Sequence, residues 1–315
     1  MVENIRLISA QVVEEVLKYD ELIPVIESAL GKFSNRPQSG VIQPLRTCLR
    51  IPAVDGFLGV MPAYSESDGV LSTKLLTFFP HNSGGLSTHS ALTVLFHCQT
   101  GVPTAILDAD VITAYRTAAA SAVATKHLVS GSPKKLAILG AGVQARSHFY
   151  ALSHLYNFYE VTIWNHRPEK AKALAAELGN HVTSVDDAEK AVRDADVIVT
   201  ATNSSTPVLK AAWVKSGAHV NAVGSCRPDW HEIDPLLMQT AAVYADSKEA
   251  ALKESGDVIK AGATIVAEIG ELVLGKVQPR NSETTVFKSL GIAIEDAVAA
   301  SLVLSKLDAH TASTQ

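Results

Sequence analysis

The sequence predicts an α/β protein in which a doubly wound parallel sheet is joined to a smaller N-terminal α+β domain. Three observations lead there. The chain has 315 residues, more than one ordinary domain and ample for a real core. Residues 134–285 alternate short apolar strands with amphipathic helices, the pattern of a parallel sheet. Within that region Lys135-Leu-Ala-Ile-Leu runs into Gly140-Ala141-Gly142-Val143-Gln144-Ala145, and then into helical apolar spacing at Phe149, Leu152, Leu155 and Tyr156. Strand, glycine turn and helix in that order are the setting of a Rossmann-type dinucleotide fingerprint. Gly140 makes the tight turn, Gly142 lets backbone approach a pyrophosphate, and Ala145 lets helix and strand pack closely. The helix N-terminus then offers its N–H groups to phosphate.

The elements follow in order. Asp20 to Phe33 places Leu22, Ile23, Ile26, Ala29, Leu30 and Phe33 on one helical stripe, with Pro24 read as lying in the first turn. Strand-like runs at Leu45–Ile51, Phe57–Met61, Leu71–Phe79, Leu92–Cys98 and Thr104–Leu107 are punctuated by Gly, Pro, Asp and Ser, as in a meandering sheet. Residues 111–128 are Ala-rich and predict a close-packed helix bridging two domains. The parallel strands are Leu136–Leu139, Val161–Trp164, Val197–Ala201, His219–Val223 and Ala242–Ala245, with a helix at Glu169–Leu178 stopped by Gly179. A last helix from about Gly291 is expected to return to the first domain. The expected division is therefore 1–115 with 291–315, and 116–290.

Composition narrows the function classes. Hydrophobic residues make up 47%, charged residues 19%, and the net charge is −5, which argues against a nucleic-acid or anionic-membrane surface. No apolar run approaches the roughly 20 residues of a membrane span, and the start Met-Val-Glu-Asn-Ile-Arg does not read as a secretory signal. Cys48, Cys98 and Cys226 are odd in number and far apart, so neither a disulfide framework nor a metal site is expected. A reduced, cytoplasmic protein is the expectation. The final six residues read as a frayed polar tail.

The second parallel strand ends Trp164-Asn165-His166-Arg167, where an NAD-selective site usually places Asp or Glu on the ribose hydroxyl. Asn165 is neutral, Arg167 offers a fork of donors and His166 adds partial positive charge. NADPH is expected, with NADH weaker; the alternative is a solvated turn. Thr202-Asn203-Ser204 follow the third strand, where small polar residues line a cofactor crevice or cap a helix.

Three basic residues sit oddly. Arg46 begins a strand-like run, Lys74 lies in the apolar stretch Leu71-Ser-Thr-Lys-Leu-Leu-Thr-Phe-Phe, and Arg116 lies within the Ala-rich helix. Arg46 could give a bidentate carboxylate clamp, while a lone charge at Lys74 or Arg116 is costly unless paired. Each also has a plain structural reading: a rim charge, a snorkelling strand lysine and an inter-domain salt bridge.

Several runs resemble the ornithine cyclodeaminase/mu-crystallin family. They are Val41-Ile-Gln-Pro-Leu-Arg46-Thr, Gly59-Val-Met-Pro-Ala-Tyr, Thr73-Lys74-Leu, Ile112-Thr-Ala-Tyr-Arg116-Thr-Ala-Ala, Gly140-Ala-Gly-Val-Gln-Ala, Asn221-Ala-Val-Gly, residues 246–257 and Thr285-Val-Phe-Lys-Ser-Leu-Gly291. Arg227-Pro-Asp-Trp230 and Ala250-Ala-Leu-Lys-Glu-Ser-Gly-Asp draw it to the mu-crystallin branch. The resemblance covers nearly the whole chain and implies NADPH-dependent reduction of a cyclic ketimine bearing a carboxylate. It implies that Arg46 and Arg116 orient the carboxylate, that Lys74 assists imine protonation, and that Cys226 and Glu254 line the substrate site. It also implies that Arg116, His89, Val223 and Ser289 lie by the cofactor. A homodimer formed through the N-terminal domain, and binding of an iodothyronine, are further implications.

The cyclodeaminase branch carries an aspartate two residues after the glycine of the Val-Gly loop, where this chain has Cys226. A thiol lacks the fixed charge that would hold a substrate ammonium, and Asp229 lies three residues on, so cyclodeamination is demoted. An alanine dehydrogenase-like enzyme, or a hormone- and NADPH-holding protein with little turnover, are the other readings. The retained Arg46, Lys74 and Arg116 favour a working enzyme.

Overall fold

The computed structural model describes residues 5–36 and 38–313; residues 1–4, 37 and 314–315, which include parts of the N-terminal stretch and polar tail read above, lie outside them. The chain forms two compact units, one of residues 1–116 with 292–315 and one of residues 117–291. Along the first unit run β1 (Arg6–Ile8), α1 (Ala10–Val16), α2 (Tyr19–Ser34), β2 (Val41–Ile42), β3 (Thr47–Ile51), β4 (Gly56–Ser65), β5 (Val70–Phe78), β6 (His89–Phe96), β7 (Pro103–Asp108) and the start of α3 (Ala109–Leu128). The second unit continues with β8 (Lys135–Leu139), α4 (Val143–Leu155), β9 (Glu160–Trp164), α5 (Pro168–Leu178), β10 (Val182–Ser184), α6 (Ala188–Val192), β11 (Val197–Thr200) and β12 (His219–Ala222). It ends with α7 (Pro235–Thr240), β13 (Ala242–Ala245), α8 (Lys248–Glu254), α9 (Gly256–Ala261), β14 (Ile265–Glu268), α10 (Ile269–Val273) and β15 (Thr285–Lys288), and α11 (Ala293–Ser313) returns to the first unit.

In the first unit β4, β5, β6 and β7 form an antiparallel meander, β2 and β3 pair with β4, and β1 adds in parallel to β7. Alternation along β4 and β5 explains the sheet: Met61, Ala63, Val70 and Phe78 are buried while their neighbours are less so. Helix α11 packs on α2 and on β4, β5 and β6, burying Ile294, Ala297, Val298, Ala300 and Val303. Helix α2 starts one residue before the expected span, so Pro24 is its sixth residue and lies beyond the first turn. Its missing N–H therefore leaves the carbonyl of Asp20 without an intrahelical donor. The stripe Leu22, Ile23, Ile26, Ala29, Leu30 and Phe33 is buried throughout and holds the helix regardless. Residues 310–313 of the expected polar tail are helical, since α11 runs to Ser313.

In the second unit eight strands form a wholly parallel sheet in the order β10-β9-β8-β11-β12-β15-β13-β14. Chain direction across the sheet reverses between β8 and β11, which makes their C-terminal ends the topological switch point. β10, β14 and β15 were not foreseen. β15 is the last strand in sequence yet lies between β12 and β13, and it ends in Lys288, which is fully buried. A strand closing on a charge does not read as central until its partner, Asp257, is brought to it. Among the described residues no helix is long and apolar enough to cross a membrane, and no cluster of His, Cys, Asp or Glu suits a metal ion.

Candidate active site

At the end of β8 the chain turns at Gly140 with φ +128°, and a Cβ there would lie 2.4 Å from the carbonyl oxygen of Ala201. Only glycine fits, because the first strand's exit abuts the exit of β11. Gly142 is different. It is the N-cap of α4 in extended backbone with no side-chain cap bond, and a Cβ there would meet nothing within 4 Å. The protein's own packing does not require that glycine; the open space in front of it suits a phosphate approaching the uncapped N–H groups of a thirteen-residue helix. Gln144, in the first turn, has a buried Oε1 with no hydrogen-bond partner among the described residues. Ala141 is half-buried and Val143 exposed beside it.

At the end of β9 the backbone carbonyl of Trp164 accepts from Gly140 N at 2.8 Å, which ties this exit to the fingerprint. Asn165 Oδ1 accepts from Arg167 N at 3.1 Å, and Arg167 Nε donates to His166 Nε2 at 3.1 Å. His166 and Arg167 are exposed, and no carboxylate stands in the run. Thr202 N donates to Glu232 Oε1 at 2.6 Å and Thr202 Oγ1 accepts from Ser204 N at 3.2 Å, so the loop after β11 is ordered, with Asn203 exposed between them. Val223 N donates to the carbonyl of Thr200 at 2.9 Å. Ser289 is buried beyond β15, its Oγ without a partner among the described residues. Buried Asp246 fixes the backbone just after it, accepting from Leu290 N at 2.6 Å and Gly291 N at 2.7 Å. The fingerprint, the turn after β9 and these loops therefore all lie in the second unit. Their open cradle and unsatisfied buried oxygens fit a dinucleotide.

The basic residues gather in the first unit. Lys74, on β5, is 2% exposed; its Nζ donates to Asp296 Oδ1 at 2.9 Å and to Thr113 Oγ1 at 2.6 Å. Arg116 Nε donates to the same Asp296 Oδ1 at 3.1 Å and its Nη1 to Glu295 Oε2 at 2.8 Å. The arginine is thus salt-bridged, though within one unit and not between two. Burial pushes Lys74 down to about 8; Asp296 opposes the shift, and the nearby charges of Arg116 and Arg46 add to it. Burial pushes Asp296 up, but Arg116 and Lys74 outweigh it and hold the carboxyl below its usual range. Asp296 Oδ2 is buried with no partner among the described residues.

Glu295 and Asp296 were missed by sequence reasoning. Two acids at the start of a long helix read as ordinary complements to the helix dipole, and both prove fully buried. The signal available was their position directly before Ala297-Val-Ala-Ala, an otherwise unbroken apolar face.

His89 also lies in the first unit, exposed at the start of β6, its ring 4.7 Å from that of Phe78. Cys226 and Glu254 belong to the second unit. Cys226 is partly buried in the turn after β12, its N–H on the carbonyl of Gly224 at 3.0 Å. Glu254 is the partly buried last residue of α8. Asp229 is exposed and bonded through both oxygens to Arg227 at 3.1 Å, which removes it as a stand-in for the missing aspartate.

The chain is similar to known proteins along nearly its whole length. Ketimine reductase mu-crystallin of Rattus norvegicus is 48% identical over 298 residues, covering 94% of this chain and 95% of the relative. The structure of Thermococcus litoralis Δ1-pyrroline-2-carboxylate reductase, solved with NADH and L-proline, superposes with a TM-score of 0.92 at 35% identity, covering 98% of each chain. An archaeal alanine dehydrogenase dimer with bound NAD gives a TM-score of 0.91 at 30% identity, covering 98% of this chain and 97% of that one. The pattern of the ornithine cyclodeaminase/mu-crystallin family matches residues 3–311. Matched over residues 3–311 and nearly half identical to a member along almost its whole length, the chain belongs to the ornithine cyclodeaminase/mu-crystallin family.

Proposed function

We propose that this protein reduces cyclic ketimines whose C=N bond adjoins a carboxylate, with NADPH preferred to NADH, and that it works as a homodimer. The observation that carries the reading is Lys74: a lysine buried on β5, pushed down to about 8, held by Asp296 and close to two arginines. Such a group gives up a proton readily near neutral pH, whereas an exposed lysine does not. A bound nicotinamide supplies a hydride to the imine carbon. The residues of this chain do the rest. Arg46 and Arg116 grip and orient the carboxylate, and Lys74 delivers the proton that the nitrogen takes as the C=N bond becomes CH–NH. Asp296 keeps Lys74 charged until then. Cys226 supplies no fixed negative charge, in keeping with an imine that arrives already formed.

The preference for NADPH rests on Asn165, His166 and Arg167, which offer donors to a 2′-phosphate and no carboxylate to repel it. The two solved relatives hold NADH and NAD, so this preference would set the chain apart from them.

The test is oxidation of NADPH and of NADH by the purified protein with Δ1-piperideine-2-carboxylate and Δ1-pyrroline-2-carboxylate, beside pyruvate with ammonia. Turnover of the cyclic imines, faster with NADPH, is expected. Turnover confined to pyruvate and ammonia would overturn the reading in favour of an alanine dehydrogenase. Triiodothyronine added to the same assay tests the second ligand, since competition with the imine would place both in one site.

A further inference from the structure

Glu232 was not among the residues singled out from the sequence, yet it is the most heavily bonded carboxylate near the cofactor loops. It is fully buried in the segment between β12 and α7. Its Oε1 accepts from Thr202 N at 2.6 Å; its Oε2 accepts from Gly224 N at 2.7 Å, Ser225 N at 3.1 Å and Thr200 Oγ1 at 3.3 Å. One side chain thus ties the exit of β11 to the exit of β12. The approach is so close that a Cβ on Gly224 would lie 2.0 Å from the carbonyl oxygen of Thr202 and 2.5 Å from Glu232 Oε2.

Glu232 is itself held from behind. Asp257 Oδ1 accepts from Glu232 N at 2.7 Å and from Ile233 N at 3.0 Å, and its Oδ2 lies 3.5 Å from Lys288 Nζ, with neither side chain exposed. Ser225 Oγ donates to the carbonyl of Trp230 at 2.8 Å, and the backbone carbonyl of Glu232 accepts from Val208 and Leu209. Burying two carboxylates against one lysine is costly. Packing alone does not account for it, because an apolar side chain would fill the same space. What a carboxylate adds is acceptor capacity on both oxygens: three backbone N–H groups and a hydroxyl converge there, and Gly224 N has besides it only the longer contact of 3.3 Å to the carbonyl of Thr200 among the bonds of the described residues.

We propose that Glu232 is a positioning residue for hydride transfer, its buried carboxylate fixing the backbone that presents Thr202, Val223 and Cys226 to cofactor and substrate. The inference rests on the reductase reading above and adds to it the element that sets the loops.

A pH dependence follows. Burial raises Glu232 to about 6; Lys288, from β15, opposes the shift, Asp257, from α9, adds to it, and the bonds from Thr202 oppose it. With both oxygens accepting, a proton on either one sets an O–H against a donor, so the loops loosen as pH falls through about 6. The sign for global stability is the opposite. The folded value lies above the unfolded one, so the folded state takes up this proton first, and the cost of the buried charge is relieved as pH falls. A loss of cofactor affinity near pH 6 therefore cannot come from unfolding driven by this group.

The experiment is NADPH titration by fluorescence from about pH 8 to pH 5 for the wild type, Glu232→Gln and Thr200→Val, with thermal melts and the kcat and KM for imine alongside. In the wild type, Kd should rise severalfold across the acid limb. Glu232→Gln should raise Kd roughly tenfold at neutral pH, flatten the acid limb and leave the melt unchanged or higher. Thr200→Val removes one donor to the carboxylate, so it should move the acid limb to higher pH. A glutamine variant with wild-type Kd and acid limb would overturn the proposal. If that variant does not fold, an unmoved limb in Thr200→Val overturns it instead. A wild type that binds NADPH but reduces no imine would sink the reductase reading while the binding test still decides the role of Glu232; one that binds no nicotinamide dinucleotide overturns both.

Discussion

Lys74 shows how one side chain's surroundings set its chemistry. Buried beside two cations, it sits near 8, so at neutral pH it is charged and still a competent acid. As the proton donor it must be protonated, and kcat/KM should therefore decline as pH rises above about 8. A rate profile flat from 7 to 10 would remove Lys74 from proton transfer. Arg46 is the partner to test separately. If it grips the substrate carboxylate, Arg46→Ala removes a charge-assisted contact of about 1.5–3 kcal/mol, so KM should rise tenfold or more. An unchanged KM would leave Arg46 as a surface charge. Lys74 and Arg116 were picked out from sequence because a charge in an apolar setting demands a partner, and Arg46 as a guanidinium at the start of a strand-like run that could clamp a carboxylate. The identity of those partners was not legible, since Glu295 and Asp296 lie some 180 positions or more from the residues they pair with.

At the scale of the element, the two glycines of the fingerprint do different work, and substitution separates them. Gly140→Ala puts a methyl 2.4 Å from the carbonyl oxygen of Ala201 at φ +128°, where strain of about 1–3 kcal/mol is expected. Its melting temperature should fall whether or not cofactor is present. Gly142→Ala meets no protein atom and its backbone suits any residue, so the apo melt should shift little, by a cap cost of about 1 kcal/mol at most. Its dinucleotide affinity should nevertheless drop at least tenfold. Equal affinity in wild type and Gly142→Ala would mean that no phosphate approaches this turn. Strand β8 and helix α4 were readable because their signals are local: a run of buried aliphatics, two glycines and a 3.6-residue spacing. β15 was not, because its place between β12 and β13 is settled by pairing with residues 43 and 66 positions away.

For the whole molecule, the first unit leaves apolar side chains in the open: Leu7 on β1 is 79% exposed, Ile42 on β2 65% and Leu49 on β3 63%. Leu7 lies at one edge of the sheet, Ile42 and Leu49 toward the other, and exposed apolar residues on sheet edges suit self-association. Sedimentation of the wild type should give about twice the monomer mass, and Leu49→Glu should shift it toward monomer. A wild-type monomer at micromolar concentration would refute the dimer. A homodimer through this domain is what the family resemblance implies; which side chains stand exposed is a property of the folded sheet and was not legible in the sequence.

Taken alone, the sequence determined whatever depends on neighbours along the chain. The parallel α/β unit, the fingerprint, the lack of an acid at the end of β9, the helical stripe of α2 and the family itself all rest on periodicity or on runs of adjacent residues. The tertiary structure decided what depends on charges and strands meeting from afar. It paired Lys74 and Arg116 with the start of α11, placed the last strand inside the sheet between β12 and β13, and tied the exits of β11 and β12 together through Glu232. The physical reason is that a buried charge is stable only with its partner, and the partners of Lys74 and Arg116 come from the far end of the chain.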